Sequence, residues 1–293
     1  MPPAEAEDPP GGLLELLRPR RKAERPEEEI LGDDAEELFE LHLDSLDPET
    51  AELYRGFGPE FRSGYLLLVQ GAGHAALRHL DLVTGQAATH PSFLLERAHA
   101  CLLAEAPDQA LETLATVRQS TQTMQTPEAR ALLSSRVHFL EVEALRAASR
   151  YEEAVQAARE FARTAAGPAA DSILAWTLIE AGRHQEAYDM LLAYLRSGSL
   201  QEEVLVPAAQ AASLLGRRGE AIQLLEGLLQ ARFQRSLERQ VEVEFPVEAG
   251  RRLLEFYLEA RRSPDQVRNL VQHLLDHDLE QGEVYRDLLL RLR

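Results

Sequence analysis

Three places in this sequence combine residue types that could carry chemistry. Residues 71–76, Gly-Ala-Gly-His-Ala-Ala, follow an apolar run with the spacing of a G-x-G-x-x-A turn, in which glycines admit a pyrophosphate to a helix N-terminus. His273 and His277 are four residues apart, a spacing that places both rings on one helix face and can hold zinc. Cys101 is the only cysteine, and a nucleophilic thiol would need an activating base beside it.

None of these three features has the context that its chemistry requires. A lone glycine motif is weak evidence, and no second β-run ending in an acid follows it, since the region around Glu96 has the pattern of an amphipathic helix. No third ligand accompanies the two histidines, and Asp278 beside them suits an exposed polar face. Cys101 lies in an apolar helix face, as a small buried residue would. We therefore predict no catalytic residue, cofactor or metal, and a cofactor- or zinc-binding enzyme is the least favoured function.

Composition narrows the class of protein further. The 293 residues are 45% hydrophobic and 27% charged, which is ordinary for a globular chain, but the net charge is −18. The first 50 residues hold 16 acidic and five basic residues. Such a chain is poorly suited to bind a nucleic-acid backbone, where affinity comes from Lys and Arg. The single cysteine, the missing signal-peptide pattern and the lack of a run of about 20 apolar residues predict a soluble cytoplasmic protein without membrane insertion.

The strongest pattern is an alanine that returns at a nearly constant interval. The spacings between successive copies are 34, 44, 33 and 34 residues, for Ala76, Ala110, Ala154, Ala187 and Ala221. Twelve residues before each lies a second, mostly small residue: Gly64, Ala98, Val142, Ala175 and Ala209. A period of 33–34 residues is typical of a helix–turn–helix unit that stacks on copies of itself. The sequence thus predicts an all-α fold, an α-solenoid of antiparallel helix pairs.

The same pattern sets the expected domain boundaries. Residues 1–33 are rich in Pro and Glu and predict a disordered tail. Within that tail, residues 13–17 (Leu-Leu-Glu-Leu-Leu) are either a transient helix or a short docking peptide. Residues 34–57 predict a lead-in helix, 58–248 the solenoid, and 249–293 a degenerate last repeat with a C-terminal capping helix. The longer connections at 118–127 and 232–246 either lengthen a helix or form a loop.

The turns between paired helices share one short phrase, which is Ser-Arg-Tyr-Glu-Glu-Ala at residues 149–154 and is repeated at residues 181–187 and 215–221. This phrase resembles the Gly-x-Tyr-x-x-Ala turn of the tetratricopeptide repeat family. The resemblance covers residues 58–230 well and 249–276 loosely. It implies a right-handed superhelix with a concave surface lined by the first helix of each pair. Val142, Glu255 and Val267 depart from the family's small residues, which affects units three and six.

The family pattern also implies which residues line the concave groove. One set precedes the small residue by three positions: Phe61, Leu95, Phe139, Ser172 and Val206. A second set follows it directly: Tyr65, His99, Glu143, Trp176 and Gln210, with Arg252 and Phe256 from the loose last unit. These residues are mainly apolar or aromatic, and Lys22 in the tail is the only lysine, so a lysine-based carboxylate clamp is excluded from the repeats. The alternative is that Phe61, Phe139 and Trp176 are core residues between helices.

An aromatic groove suits an amphipathic helix or an extended apolar peptide. The expected function is therefore a non-enzymatic adaptor or scaffold that holds a segment of a protein partner. A chaperone for secreted or membrane-associated proteins is the alternative. A peptide-sensing transcription factor is disfavoured, because no basic helix-turn-helix precedes the repeats. The identity of the partner and the oligomeric state are left open by the sequence.

Overall fold

The computed structural model describes residues 27–32, 34–122, 127–239 and 245–292, and this part of the chain contains helices and turns but no strand. Its internal contacts divide it into two compact units, an N-terminal unit that ends at Ala166 and a C-terminal unit that begins at Gly167. None of the described helices is both long and apolar enough to cross a membrane. The single solenoid predicted for residues 58–248 is thus divided between two units.

Nine helices of the N-terminal unit lie in its described part: α1 (Glu27–Ile30), α2 (Ala35–Leu43), α3 (Pro48–Gly56), α4 (Pro59–Val69), α5 (Gly73–Leu80), α6 (Pro91–Leu103), α7 (Pro107–Gln122), α8 (Pro127–Ala147) and α9 (Tyr151–Ala165). Several begin with proline, which lacks the N–H that the first turn would leave unpaired. The Asp47 side chain accepts a hydrogen bond of 2.9 Å from the N–H of Thr50 and caps α3. Local sequence signals therefore fix where these helices start.

From α4 onward the N-terminal unit consists of helix pairs. Helix α4 packs on α5, α6 on α7 and α8 on α9, while the first helices α4, α6 and α8 also pack on one another. The predicted small residues allow the close approach within a pair. A Cβ added to Gly64 would lie 2.7 Å from the Leu80 Cγ and 3.2 Å from the Ala76 carbonyl oxygen. This packing is the repeat architecture that the alanine period predicts.

The C-terminal unit follows the same plan. Its helices are α10 (Pro168–Glu180), α11 (His184–Arg196), α12 (Glu202–Leu214), α13 (Arg218–Arg239), α14 (Val247–Glu259), α15 (Pro264–His277) and α16 (Gly282–Arg291). The pairs are α10–α11, α12–α13 and α14–α15, with α16 against α15, and the first helices α10, α12 and α14 are again neighbours. Gly182 and Gly216 have φ of 75° and 79° in the turns inside the first two pairs, where a side chain would strain the backbone.

The all-α fold with helices in consecutive pairs is confirmed, but some details differ from the expectation. The lead-in region forms two helices, α2 and α3, because Asp47 and Pro48 start a new helix. Helix α1 falls inside the segment expected to be disordered, and its Ile30 is buried. The long connections extend α7 to Gln122 and α13 to Arg239. The leucine-rich residues 13–17 lie outside the described residues.

Candidate functional site

In the N-terminal unit, part of the predicted groove is filled by the chain's own helices α2 and α3. Phe61 is fully buried, and the ring of Tyr54 lies over it with centroids 5.0 Å apart. Tyr65 is also buried, 5.4 Å from the Tyr54 ring and 5.9 Å from the Phe39 ring. The expectation that Phe61 and Tyr65 line an open groove is therefore wrong, because the residues just before the repeats cover that face.

A buried polar contact attaches helices α2 and α3, which we call the cover, to the repeat helices. The Glu96 carboxylate on α6 is 4% exposed. It accepts hydrogen bonds of 2.5 Å from the Tyr54 hydroxyl and 2.6 Å from the Arg136 guanidinium. Burial, and then the Glu96 charge, raise the pKa of Tyr54 above its ordinary value, so the hydroxyl stays a donor. This contact links α3 to the first helices α6 and α8, forty or more residues further along the chain.

The other groove positions of the N-terminal unit have separate surroundings. Leu95 is fully buried in a cluster that includes Leu114 and Val137, so it belongs to the core and the groove assignment is wrong for it. His99 is half-buried, and burial lowers its pKa. Phe139 is 40% exposed on α8. Glu143 forms an ion pair of 2.5 Å with Arg146 one turn further along the same helix.

In the C-terminal unit the first-helix face instead opens into a cavity of about 390 Å³. Its apolar wall is formed by the half-buried Trp176 of α10 together with Val206 and Pro207 of α12. The remaining lining residues are polar: Ser172, Glu202, Glu203 and Glu248. Predicted groove residues from two adjacent repeats thus meet at one site. We call this site the Trp176 cavity.

Three further predicted positions lie on helices α12 and α14. Phe256 is buried and belongs to the core, so it does not line an open groove. Gln210 is half-buried, and its amide oxygen is buried without a hydrogen-bond partner among the described residues. The Arg252 guanidinium carbon lies 5.9 Å from the centroid of the Trp176 ring. Arg252 is therefore a neighbour of the cavity but is not among the residues that line it.

Carboxylates dominate the electrostatics around the Trp176 cavity. The Glu202 side chain accepts a 2.9 Å hydrogen bond from the backbone N–H of Ala249. Even so, burial raises the pKa of Glu202, and the charges of Glu248 and Glu203 act in the same direction, while the charge of Arg232 lowers it. Arg252 pairs with Glu255 at 2.7 Å and with Glu248 at 3.8 Å. Two of the lining carboxylates, Glu202 and Glu203, form no ion pair among the described residues.

A larger cavity of about 700 Å³ lies beside α7, α8 and α9 in the N-terminal unit. Its lining is charged, but its arginines and several of its glutamates are already in ion pairs. Arg118 bonds to Glu141, and Arg150 pairs with Glu153 at 2.7 Å. A site whose ion pairs are already made has less to gain from a charged ligand than one with unpaired carboxylates. We therefore take the Trp176 cavity as the stronger candidate.

The structure shows where the three sequence motifs that could carry chemistry lie. The apolar run before residue 71 lies in helix α4, so residues 71–76 are a helix–helix turn and the first residues of α5 rather than a strand-to-helix turn. The rings of His273 and His277 stack on Phe245, with centroids 6.0 and 5.2 Å apart. Cys101 is buried, and burial raises the pKa of its thiol. Within the described ranges, no group of three or more His, Cys, Asp or Glu residues is arranged to hold a metal ion.

Fold and site together define an all-α helical-repeat protein with an aromatic and acidic cavity on its first-helix face. No protein-family model matches the chain, and no curated protein matches it either. Among solved structures, the chain is similar to one described as the apo form of RapI, at 14% identity and a TM-score of 0.44. That similarity covers 84% of this chain and 97% of the other.

The acidic residues of the Trp176 cavity are not among the residues that the sequence predicted for the groove. Glu202 and Glu203 are in the first turn of α12, and Glu248 is in the first turn of α14. Acidic residues are common there because they complement the helix dipole. Their positions therefore gave no separate signal. Only the register of the first helices places these three carboxylates beside Trp176, and the sequence does not give that register.

Proposed function

We propose that this protein is a non-enzymatic adaptor that binds a segment of a protein partner on the first-helix face of its C-terminal unit. The observation that carries the proposal is the Trp176 cavity, where a partly exposed indole, Val206 and Pro207 form one apolar wall. Aromatic side chains in such pockets are typical anchors of protein interfaces. A cavity of about 390 Å³ accommodates a side chain of the bound segment.

The covered face of the N-terminal unit supports the same proposal. There, Phe61 and Tyr65 are buried by Tyr54 and Phe39 of the same chain. A helix of the right chemistry therefore packs stably against a first-helix face of these repeats. The equivalent face at Trp176 would receive its helix or extended segment from another protein.

Capture of partners from a native lysate tests this proposal. Immobilised wild-type chain is compared with Trp176→Glu and with a control variant, Leu279→Glu. Leu279 is 88% exposed in the same unit and is not among the residues lining the cavity. We expect a protein that is retained by the wild type and the control but lost with Trp176→Glu. Circular dichroism verifies that both variants remain helical, and Trp176→Ala is the milder replacement if Trp176→Glu unfolds.

The position of the bound segment is then read by cross-linking. A photoreactive residue at Glu203, which is exposed at the edge of the cavity, should attach to the captured protein. The same residue placed at Leu279 should not. Equal capture by all three proteins, with no cross-link from position 203, would show that the partner binds elsewhere and contradict the proposal.

A further inference from the structure

The Trp176 cavity combines an aromatic wall with two carboxylates, Glu202 and Glu203, that form no ion pair among the described residues. Glu203 is exposed at its edge, and Glu202 is half-buried. The charge of Arg232 acts on Glu202, but a cation that enters the cavity can pair directly with both carboxylates through charge-assisted hydrogen bonds. The protein's net charge of −18 adds a long-range attraction for cationic ligands.

An internal contact shows which chemistry the indole accepts. The Arg252 guanidinium lies 5.9 Å from the Trp176 ring centroid, within the range of a cation–π interaction. This same guanidinium is paired with Glu255 and Glu248, on the α14 side of the site. The carboxylates of Glu202 and Glu203, on α12, are left for a second cation. On the α14 side of the site, Arg252 lies beside the Trp176 indole and pairs with carboxylates. On the α12 side, the carboxylates of Glu202 and Glu203 line the same cavity as that indole.

We propose that the Trp176 cavity binds the basic side chain of an arginine or lysine residue, with Trp176 packing against its stem and with Glu202 and Glu203 pairing with its charge. The aliphatic stem of such a side chain suits the wall formed by Val206 and Pro207, while the charged end suits the carboxylates. This inference rests on the proposed function, since the side chain would belong to the bound protein segment. It adds that the segment carries a basic residue at its anchor point.

Trp176 is the only tryptophan of the chain, so its emission reports directly on this cavity. The full-length protein is titrated at constant ionic strength with N-acetyl-arginine amide and with N-acetyl-citrulline amide, which has nearly the same shape without the charge. A second pair is N-acetyl-lysine amide and its Nε-acetylated form. We expect at least one cation to give a saturable emission change with an affinity about tenfold above that of its neutral counterpart, the size of one charge-assisted hydrogen bond.

Three variants locate the interaction. Glu203→Gln should weaken binding of the cationic probe about threefold, and the double change with Glu202→Gln about tenfold, as each removes one charge partner. Glu283→Gln removes an exposed carboxylate from α16 in the same unit and should leave the affinity unchanged. Glutamine at position 202 can still accept the hydrogen bond from Ala249, so loss of binding would not arise from a lost helix cap.

Equal affinities for charged and neutral probes would overturn the proposal and leave an apolar pocket. No saturable response to either cation would overturn it as well, as would an equal loss of affinity with Glu283→Gln. These outcomes are distinct from failure of the proposed function. In that case, the protein partner would still be captured by Trp176→Glu, whatever the small probes do.

Discussion

Tyr65 in the N-terminal unit and Trp176 in the C-terminal unit hold the same place in their repeats. Each directly follows the small residue, Gly64 or Ala175, that packs inside its helix pair. Yet Tyr65 is buried beneath Tyr54 and Phe39, whereas Trp176 forms the wall of a cavity. The repeat position alone does not decide whether an aromatic residue is core or binding surface. What decides it is whether another segment of the chain lies over that face.

The largest expected effect is the difference in stability between truncating Tyr65 and truncating Trp176. Tyr65→Ala should lower the free energy of unfolding by about 3–5 kcal/mol, because it opens a hole in an aromatic cluster. Trp176→Ala should cost only about 1 kcal/mol, because that ring already borders a cavity. Denaturant unfolding followed by circular dichroism measures both. In Tyr65→Ala the emission of Trp176 should change later in denaturant than the helical signal, and coincident shifts of both signals would contradict independent roles of the two units.

The next largest change in stability should come from breaking the buried contact between Tyr54, Glu96 and Arg136. Glu96→Ala should cost about 2–3 kcal/mol, since it leaves the buried Tyr54 hydroxyl without its acceptor and Arg136 without its counter-ion. Glu143→Ala is the matched control, because Glu143 also pairs with an arginine, but within one helix and at a half-buried position. Its cost should be about 0.5 kcal/mol or less. Thermal melting of the two variants side by side would expose any error in this ranking.

Replacing a glycine with alanine should change the free energy of unfolding in opposite directions in the two units. In Gly73→Ala the new Cβ would lie 2.5 Å from the backbone of Leu103 and Ala104, so we expect a loss of about 2 kcal/mol from overpacking. Gly227 lies on the exposed side of α13 with nothing within 4 Å of an added Cβ. Gly227→Ala should therefore stabilise the protein by about 0.5–1 kcal/mol through helix propensity. A melting temperature of Gly73→Ala that did not fall would show that the close packing at Gly73 is unimportant, and one of Gly227→Ala that fell would contradict the propensity argument.

The smallest effect concerns the acidic side of the Trp176 cavity. Because the folded protein raises the pKa of Glu202, ionisation of that carboxyl opposes folding, and the opposition grows as the pH rises through the raised pKa. Glu202→Gln removes this cost and should raise the melting temperature at pH 7. The difference from the wild type should vanish below the ordinary glutamate pKa of about 4.3, where both side chains are neutral. A variant less stable than the wild type at pH 7 would refute the assignment.

The sequence predicted the repeated helix pairs but not which of their faces are buried. The alanine period and its small partners located the helix pairs correctly, because close packing inside a pair depends on residues about twelve apart. The burial of Phe61 and Tyr65 depends instead on Phe39 and Tyr54, which lie before the repeats and follow no period. Burial of Leu95 and Phe256 was equally hidden, since helical spacing does not tell a core position from a neighbouring surface one.

The order of the N-terminal unit along the chain has a consequence for its synthesis. Helices α2 and α3 leave the ribosome before α4 and α6, the helices whose aromatic face they cover. Domains form from the N-terminus during translation, so the cover is already present when Phe61 and Tyr65 emerge. That face need never be presented to other nascent chains. Among the described residues, no earlier helix covers the face at Trp176 in this way, and that face borders a cavity.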